Sequence, residues 1–263
     1  MQLNHKNYHS NEANREYMSV SLFKSFLPQY GGCEARAMAV LNGEWEEDGK
    51  DAFLLGGYVH AWNEGRLPEY MAENPGLFKK DGTLYAKYAI GDKMIETLRN
   101  DPLVEKAREG EKEYIMTGEL FGMPWKVMID IYNPELKVFA DLKTCQEIHR
   151  TEWNPVTRQR ENMVELYGYD IQMAVYAEIV RQNRMDTKYF MPHIIAVSKE
   201  DPPDKAIIHF GTEFIPDILD EMKLFADGVK AVWTGRIEPL RCDRCDYCRA
   251  TKQLQKTVFY MDL

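Results

Sequence analysis

Apolar and polar positions alternate most regularly between residues 111 and 144, and on either side the apolar residues return at intervals of three and four. Glu111 to Leu120 reads as a strand, turned by Gly122-Met123-Pro124 into a second run, Trp125 to Tyr132. Asn133-Pro134-Glu135-Leu136 is turn-prone, and Lys137 to Thr144 follows as a third strand. The expectation is an antiparallel meander. Val127, Ile129, Ile131, Val138, Ala140 and Leu142 would form one buried face. Side chains alternate across a strand, so Asp141 and Lys143 share the opposite face. If Tyr132 pairs with Lys137, Asp130 stands opposite Phe139 and joins Asp141 on that face. Diagonal neighbours there are about 7–8 Å apart, within reach of one cation.

The flanking segments carry the helical period. Ser19 or Ser21 can cap a short helix through Leu22, Phe23, Phe26 and Leu27, stopped by Pro28 and Gly31-Gly32. Glu34 to Leu41 is a second helix, closed by Gly43. Asp51 opens a longer one with Phe53, Leu54, Tyr58, Val59 and Trp62 apolar, and His60 follows Gly56-Gly57 within it. Residues 83–108 are mainly helical, interrupted at Asp101-Pro102. Val164 to Gln182 is amphipathic on Leu166, Tyr169, Met173, Tyr176 and Val180, with Gln172 on the same side. Tyr189–Val197 and Ala206–Phe210 read as strands across Pro202-Pro203, and Pro216–Trp233 as a helix. Residues 1–18 read as a flexible N-terminal arm, and 145–163 as a charged, mobile connection able to lie over a substrate. This order implies an α+β, or mixed α/β, layered domain.

Composition narrows the class. Hydrophobic residues make up 44% and charged residues 29%, which fits a globular chain rather than a disordered one. No apolar run approaches the ~20 residues that cross a bilayer, and the first twenty residues lack the core of a secretory signal. A cytoplasmic protein is expected. The net charge of −9 is unlike that of a non-specific DNA binder, although acids that hold metal beside a basic groove give the same sign.

Asp130, Asp141 and Lys143 belong either to a solvated hairpin face or to a metal site; Met128 and Phe139 on that face favour a covered site. By themselves His60 and Gln172 read as ordinary structural residues. Of five cysteines, Cys242, Cys245 and Cys248 form C-x2-C-x2-C, a density that points to metal, whereas Cys145 reads as a small buried apolar residue.

Taken together, Asp130, ten residues, then Asp141-Leu142-Lys143 resembles the signature of the PD-(D/E)XK nuclease superfamily, with Asp in place of the commoner Glu. Gln172-Met-Ala-Val-Tyr176 is similar to the Q-x-x-x-Y motif of its RecB-like branch. His60 resembles that branch's upstream metal-binding histidine, and Glu113 its partly shared acid. The similarity spans about residues 19–250 and is nearest to phage exonucleases of the exodeoxyribonuclease VIII type.

The resemblance implies a restriction-endonuclease-like core, a central mixed sheet flanked by helices, over one domain from 19 to 263. It also implies a metal-dependent exonuclease acting on linear duplex DNA in recombination or repair. Mg²⁺ or Mn²⁺ would be held by Asp130, Asp141, His60 and the Leu142 backbone carbonyl. Lys143 would place the attacking water, and Gln172 and Tyr176 would orient the site. A homo-oligomeric ring and a single-strand annealing partner are further implications. A non-catalytic scaffold and a site-specific endonuclease on the same core are the alternatives. In related iron–sulfur nucleases one early and three late cysteines hold a [4Fe–4S] cluster. Cys33 with Cys242, Cys245 and Cys248 matches that one-plus-three layout, although the last gap is shorter than usual there, and zinc or no metal are the other options.

Overall fold

A computed structural model describes residues 1–46 and 50–254, together with 257, 259 and 261. Before the sheet come α1 (Asn11–Glu16), α2 (Val20–Ser25), α3 (Glu34–Asn42), α4 (Lys50–Glu64), α5 (Leu67–Glu73), α6 (Ala86–Arg99) and α7 (Pro102–Ala107). Then follow β1 (Glu111–Leu120), β2 (Met123–Asn133), β3 (Val138–Cys145), β4 (Glu152–Asn154) and β5 (Gln159–Glu161). The chain continues through α8 (Met163–Leu166), α9 (Tyr169–Arg184), β6 (Met191–Ser198), β7 (Lys205–His209), α10 (Ile215–Trp233) and α11 (Asp246–Ala250).

Five strands form the central sheet in the order β1-β2-β3-β6-β7. The meander is antiparallel, β3 and β6 run parallel, and β7 turns back on β6. The parallel step requires a crossover, which α9 supplies. The mixed sheet flanked by helices is the restriction-endonuclease-like architecture expected from the resemblance.

One core lies between the sheet and α2, α9 and α10; the other lies between the sheet and α4 and α6. From Ile171 to Val180 every residue of α9 is buried, because sheet and α10 cover it from both sides. The expected helix from Val164 to Gln182 is broken at Gly168, whose φ is +58°. A Cβ there would come within 2.8 Å of the Tyr30 ring and 2.9 Å of Lys24, so the break suits glycine on both counts.

Three further expectations differ. Val127 and Ile129 pack in the α9 core, whereas Ile131, Ala140 and Leu142 pack in the α4 core, so the six do not share one face. The sheet changes sides at Glu113, which takes a left-handed φ of +51° and drops out of the β1–β2 ladder opposite Asp130. The β2–β3 register pairs Tyr132 with Phe139 and Asn133 with Val138, not Tyr132 with Lys137. Asn133 Oδ1 accepts the Leu136 N–H and Lys137 adopts φ +55°, which delays the strand until Val138. Residues 145–163 contain the small β4–β5 hairpin, anchored by Asn154, which donates to Gln29 O and to Glu161. None of its residues lines the main cleft.

The N-terminal 18 residues are also folded, not an arm. Met18 bridges to Trp125 on the edge of β2 that β3 leaves free: Met18 N–H donates to Pro124 O, and Lys126 N–H to Met18 O. Buried Lys126 donates to Tyr8 O and to Asn14 Oδ1, and the Trp233 indole donates to Asn14 O. A lone buried ammonium is costly, and these acceptors offset that cost by fixing residues 8–14 to the sheet.

Candidate active site

Ladder pairing puts three acids in one row across three strands. Continuing each register by one step sets Glu113 of β1 level with Asp130 of β2, and Asp130 level with Asp141 of β3. The register change therefore brings Asp130 directly across from Asp141, not diagonal to it. Both are nearly inaccessible, Asp130 at 7% and Asp141 at 3% exposure. Asp130 Oδ2 accepts the Leu142 N–H at 2.7 Å, a bond between the two strands where the regular ladder has ended.

Around this row the helices deliver the remaining groups. Packed on β3, α4 carries His60, whose Nδ1 lies 3.4 Å from Asp130 Oδ2. Gly57, one turn earlier, lets Tyr70 pass: a Cβ there would meet its hydroxyl at 2.4 Å. Glu64, four residues after His60, shares its helix face. His60, Glu64 and Glu113 each offer a donor atom within 4.8 Å of the others. Lys143 Nζ lies 2.6 Å from Asp141 Oδ2 and 4.8 Å from the centre of the Tyr169 ring. From α9, Gln172 Nε2 donates to Asp141 Oδ1. Tyr176, one turn on, rests against Phe139 and borders the same cleft.

Burial and crowding of negative charge shift these acids. Burial raises Asp130 to about 6, and Asp141 adds to the rise; His60, Lys143 and the Leu142 N–H only partly oppose it. Glu113 is raised to about 8, again by burial first, with Asp130 and Glu64 adding to it. Burial pulls Lys143 down, but Asp141, Tyr169 and Asp130 outweigh it and the ammonium is held more firmly than in water. Asp141 thus keeps Lys143 charged.

Those acids fit a hard divalent cation. Asp141 Oδ2 is buried against Lys143 Nζ at 2.6 Å and takes no other partner, so it keeps a lone pair for a ligand. Carboxylates with one imidazole are the donors that Mg²⁺ or Mn²⁺ prefers.

The row opens into a cleft of about 610 Å³. Its facing wall comes from the N-terminal segment, α2 and α3, including Tyr8, His9, Lys24 and Val40. Lys24 is lowered to about 8, by burial and then by Lys143. Sequence reasoning missed Glu64, Tyr169, Lys24 and Tyr8. The i, i+4 spacing from His60 was a signal for Glu64; no local signal marked Tyr8, which a distant ammonium holds in place.

The other predicted group lies apart. Cys33, at the start of α3, meets Cys242, Cys245 and Cys248, and all four Sγ atoms fall within 4.8 Å of one another. Cys145 is buried in the α9 core away from them, its thiol raised to about 11 chiefly by burial.

A mixed sheet carrying an acid row with a lysine two residues after its last member is the core of the PD-(D/E)XK superfamily. More narrowly, residues 19–251 match the family described as a PDDEXK-like domain of unknown function (DUF3799), and the chain belongs to it. Among solved structures, it is similar to a protein from Eubacterium rectale named "Putative exonuclease". The two are 38% identical with a TM-score of 0.92, over 100% of this chain and 98% of that one. No curated protein matches the chain.

Proposed function

We propose that the protein is a divalent-metal-dependent deoxyribonuclease that degrades linear duplex DNA from its ends. The observation that carries the reading is the convergence of Asp130, Asp141, Lys143 and His60 in one cleft from three separate elements. The name of the Eubacterium rectale relative supports the choice of an exonuclease.

Asp130, Asp141, His60 and the Leu142 carbonyl would hold the cation. When bound, it would polarise the scissile phosphate and make a neighbouring water more acidic. In hydrolysis a water oxygen bonds to phosphorus as the bond to the leaving sugar oxygen breaks; the water gives up a proton and the leaving oxygen gains one. Lys143, kept charged by Asp141, positions that water and steadies the charge growing on the phosphate oxygens. Gln172 fixes the Asp141 carboxylate through Oδ1, leaving Oδ2 toward Lys143 and the cation. Tyr176 stays a neutral phenol, raised by burial and then by Tyr8, Asp141 and Asp130, and forms the wall beside Gln172.

End-labelled linear duplex and closed circular DNA, each incubated with Mg²⁺, test this. Loss of label from the linear DNA with the circle intact is expected, and Lys143→Ala should lower the rate by at least about 100-fold in protein that still folds. An equally active Lys143→Ala protein contradicts the assignment, and cutting of the circle contradicts the exonuclease.

A further inference from the structure

Four thiols from opposite ends of the chain form a core of their own. Cys33, Ala35 and Cys248 are buried, with Cys242, Cys245 and Tyr247 packed on them. Beyond the edge contact of Trp45 with Tyr247 at 5.5 Å, few apolar side chains hold this five-residue helix and its loop against α3. Backbone bonds add little: Ala35 N–H donates to Leu240 O, and Leu240 N–H to Glu34 Oε2. The segment nevertheless returns across more than 200 residues to cap α3.

Thiol spacing separates the possible occupants. Cys33 Sγ lies 3.6 Å from Cys248 Sγ, and Cys242 Sγ 3.9 Å from Cys248 Sγ. Four thiolates around one ion at a Zn–S distance of ~2.3 Å stand about 3.8 Å apart in a tetrahedron. A four-iron cluster puts an iron atom under each thiolate at the corner of a core, so each sulfur stands off by the core's radius in addition to its own bond. Such a core does not fit among four sulfurs that all lie within 4.8 Å of one another. The local backbone also suits a single ion. Cys245 N–H points to Cys242 Sγ at 3.3 Å and Cys248 N–H to Cys245 Sγ at 3.4 Å, donors that stabilise thiolates.

We infer that Cys33, Cys242, Cys245 and Cys248 form a structural site for one tetrahedral, thiophilic divalent cation, zinc, and not the [4Fe–4S] cluster that the resemblance implies. The site ties the end of the chain to α3, whose Ala37, Val40 and Leu41 line the active-site cleft. The zinc therefore sets the position of the wall facing the acid row. The inference is independent of the nuclease reading, because its test reads metal and stability, not hydrolysis.

The test is elemental analysis of the full chain, produced with iron and zinc both supplied and purified without oxygen. It uses wild type and an Asp130→Asn/Asp141→Asn variant whose cation site is disabled. Both proteins should be colourless and retain one zinc per chain through chelator washing. A mercurial that titrates the four thiols should release that zinc and lower the melting temperature by more than about 10 °C. Replacement by Co²⁺ should give the intense visible bands of tetrahedral thiolate coordination, a readout that needs no cysteine variant to fold. Brown protein holding iron and acid-labile sulfide would overturn the inference, as would a metal-free chain of unchanged stability. Zinc lost in the double aspartate variant would overturn it too.

Discussion

That Asp130, Asp141 and Lys143 share a face could be proposed from strand alternation, because a register shift of two residues preserves parity; a metal site there followed only from the resemblance. The register itself was not legible. Asn133 closes the turn with its own side chain, and a four-residue loop can start at either neighbour with equal local propensity. The acid row has a consequence for stability. Asp130 and Glu113 are raised to about 6 and about 8, so the folded state binds their protons more tightly than the unfolded chain. Their contribution is therefore fully present only below the ordinary carboxylate values of 3.8 and 4.5, and is lost as pH rises from there through about 6 for Asp130 and about 8 for Glu113. Metal-free protein should melt at progressively lower temperature across that window, and Mg²⁺ or Mn²⁺ should restore most of the loss at pH 8 by replacing the protons. Thermal melts at pH 5, 6.5 and 8, with and without the cation, check this; a cation effect that is equal at pH 5 and pH 8 contradicts it.

At the scale of elements, every strand of the meander was visible in the alternation, and α2, α3 and α10 in their caps and apolar spacing. The segment most poorly read was the N-terminus. It is polar, and polarity usually marks a mobile end, but here its role depends on a partner 118 positions away, Lys126. A polar segment held by a buried charge leaves no periodic trace. Lys126→Met should keep the side-chain volume while leaving Tyr8 O and Asn14 Oδ1 unpaired. Amide exchange over residues 8–18 should then quicken by about tenfold or more, with the β1–β3 core unaffected. Unchanged protection there would show that the segment is held by other contacts. The break at Gly168 was equally hidden, since Val164 to Gln182 keeps one apolar stripe; what forces it is the approach of Lys24 and Tyr30 from another element.

Over the whole molecule, net charge said little about the site. A chain at −9 gathers Lys24, Arg66, Lys126 and Lys143 into the cleft that also holds buried Asp130 and Asp141. Local arrangement, not the sum, governs what such a cleft attracts. The pairing of Cys33 with the C-terminal cysteines is of the same kind: spacing marks the three late residues, and only the fold brings the first one to them. Among the described residues no helix is long and apolar enough to cross a membrane. The cleft is thus built between two fixed walls, the sheet with its acid row and the N-terminal layer held by Lys126 and the thiol site. In the nuclease proposed above, Asp130, Asp141 and His60 surround one cation. Anomalous diffraction from crystals soaked in Mn²⁺ locates that ion directly. The account predicts a peak bounded by Asp130 and Asp141 with His60 beside it, absent in Asp141→Asn. A peak held only by groups outside the acid row, or an undiminished peak in the variant, would contradict it.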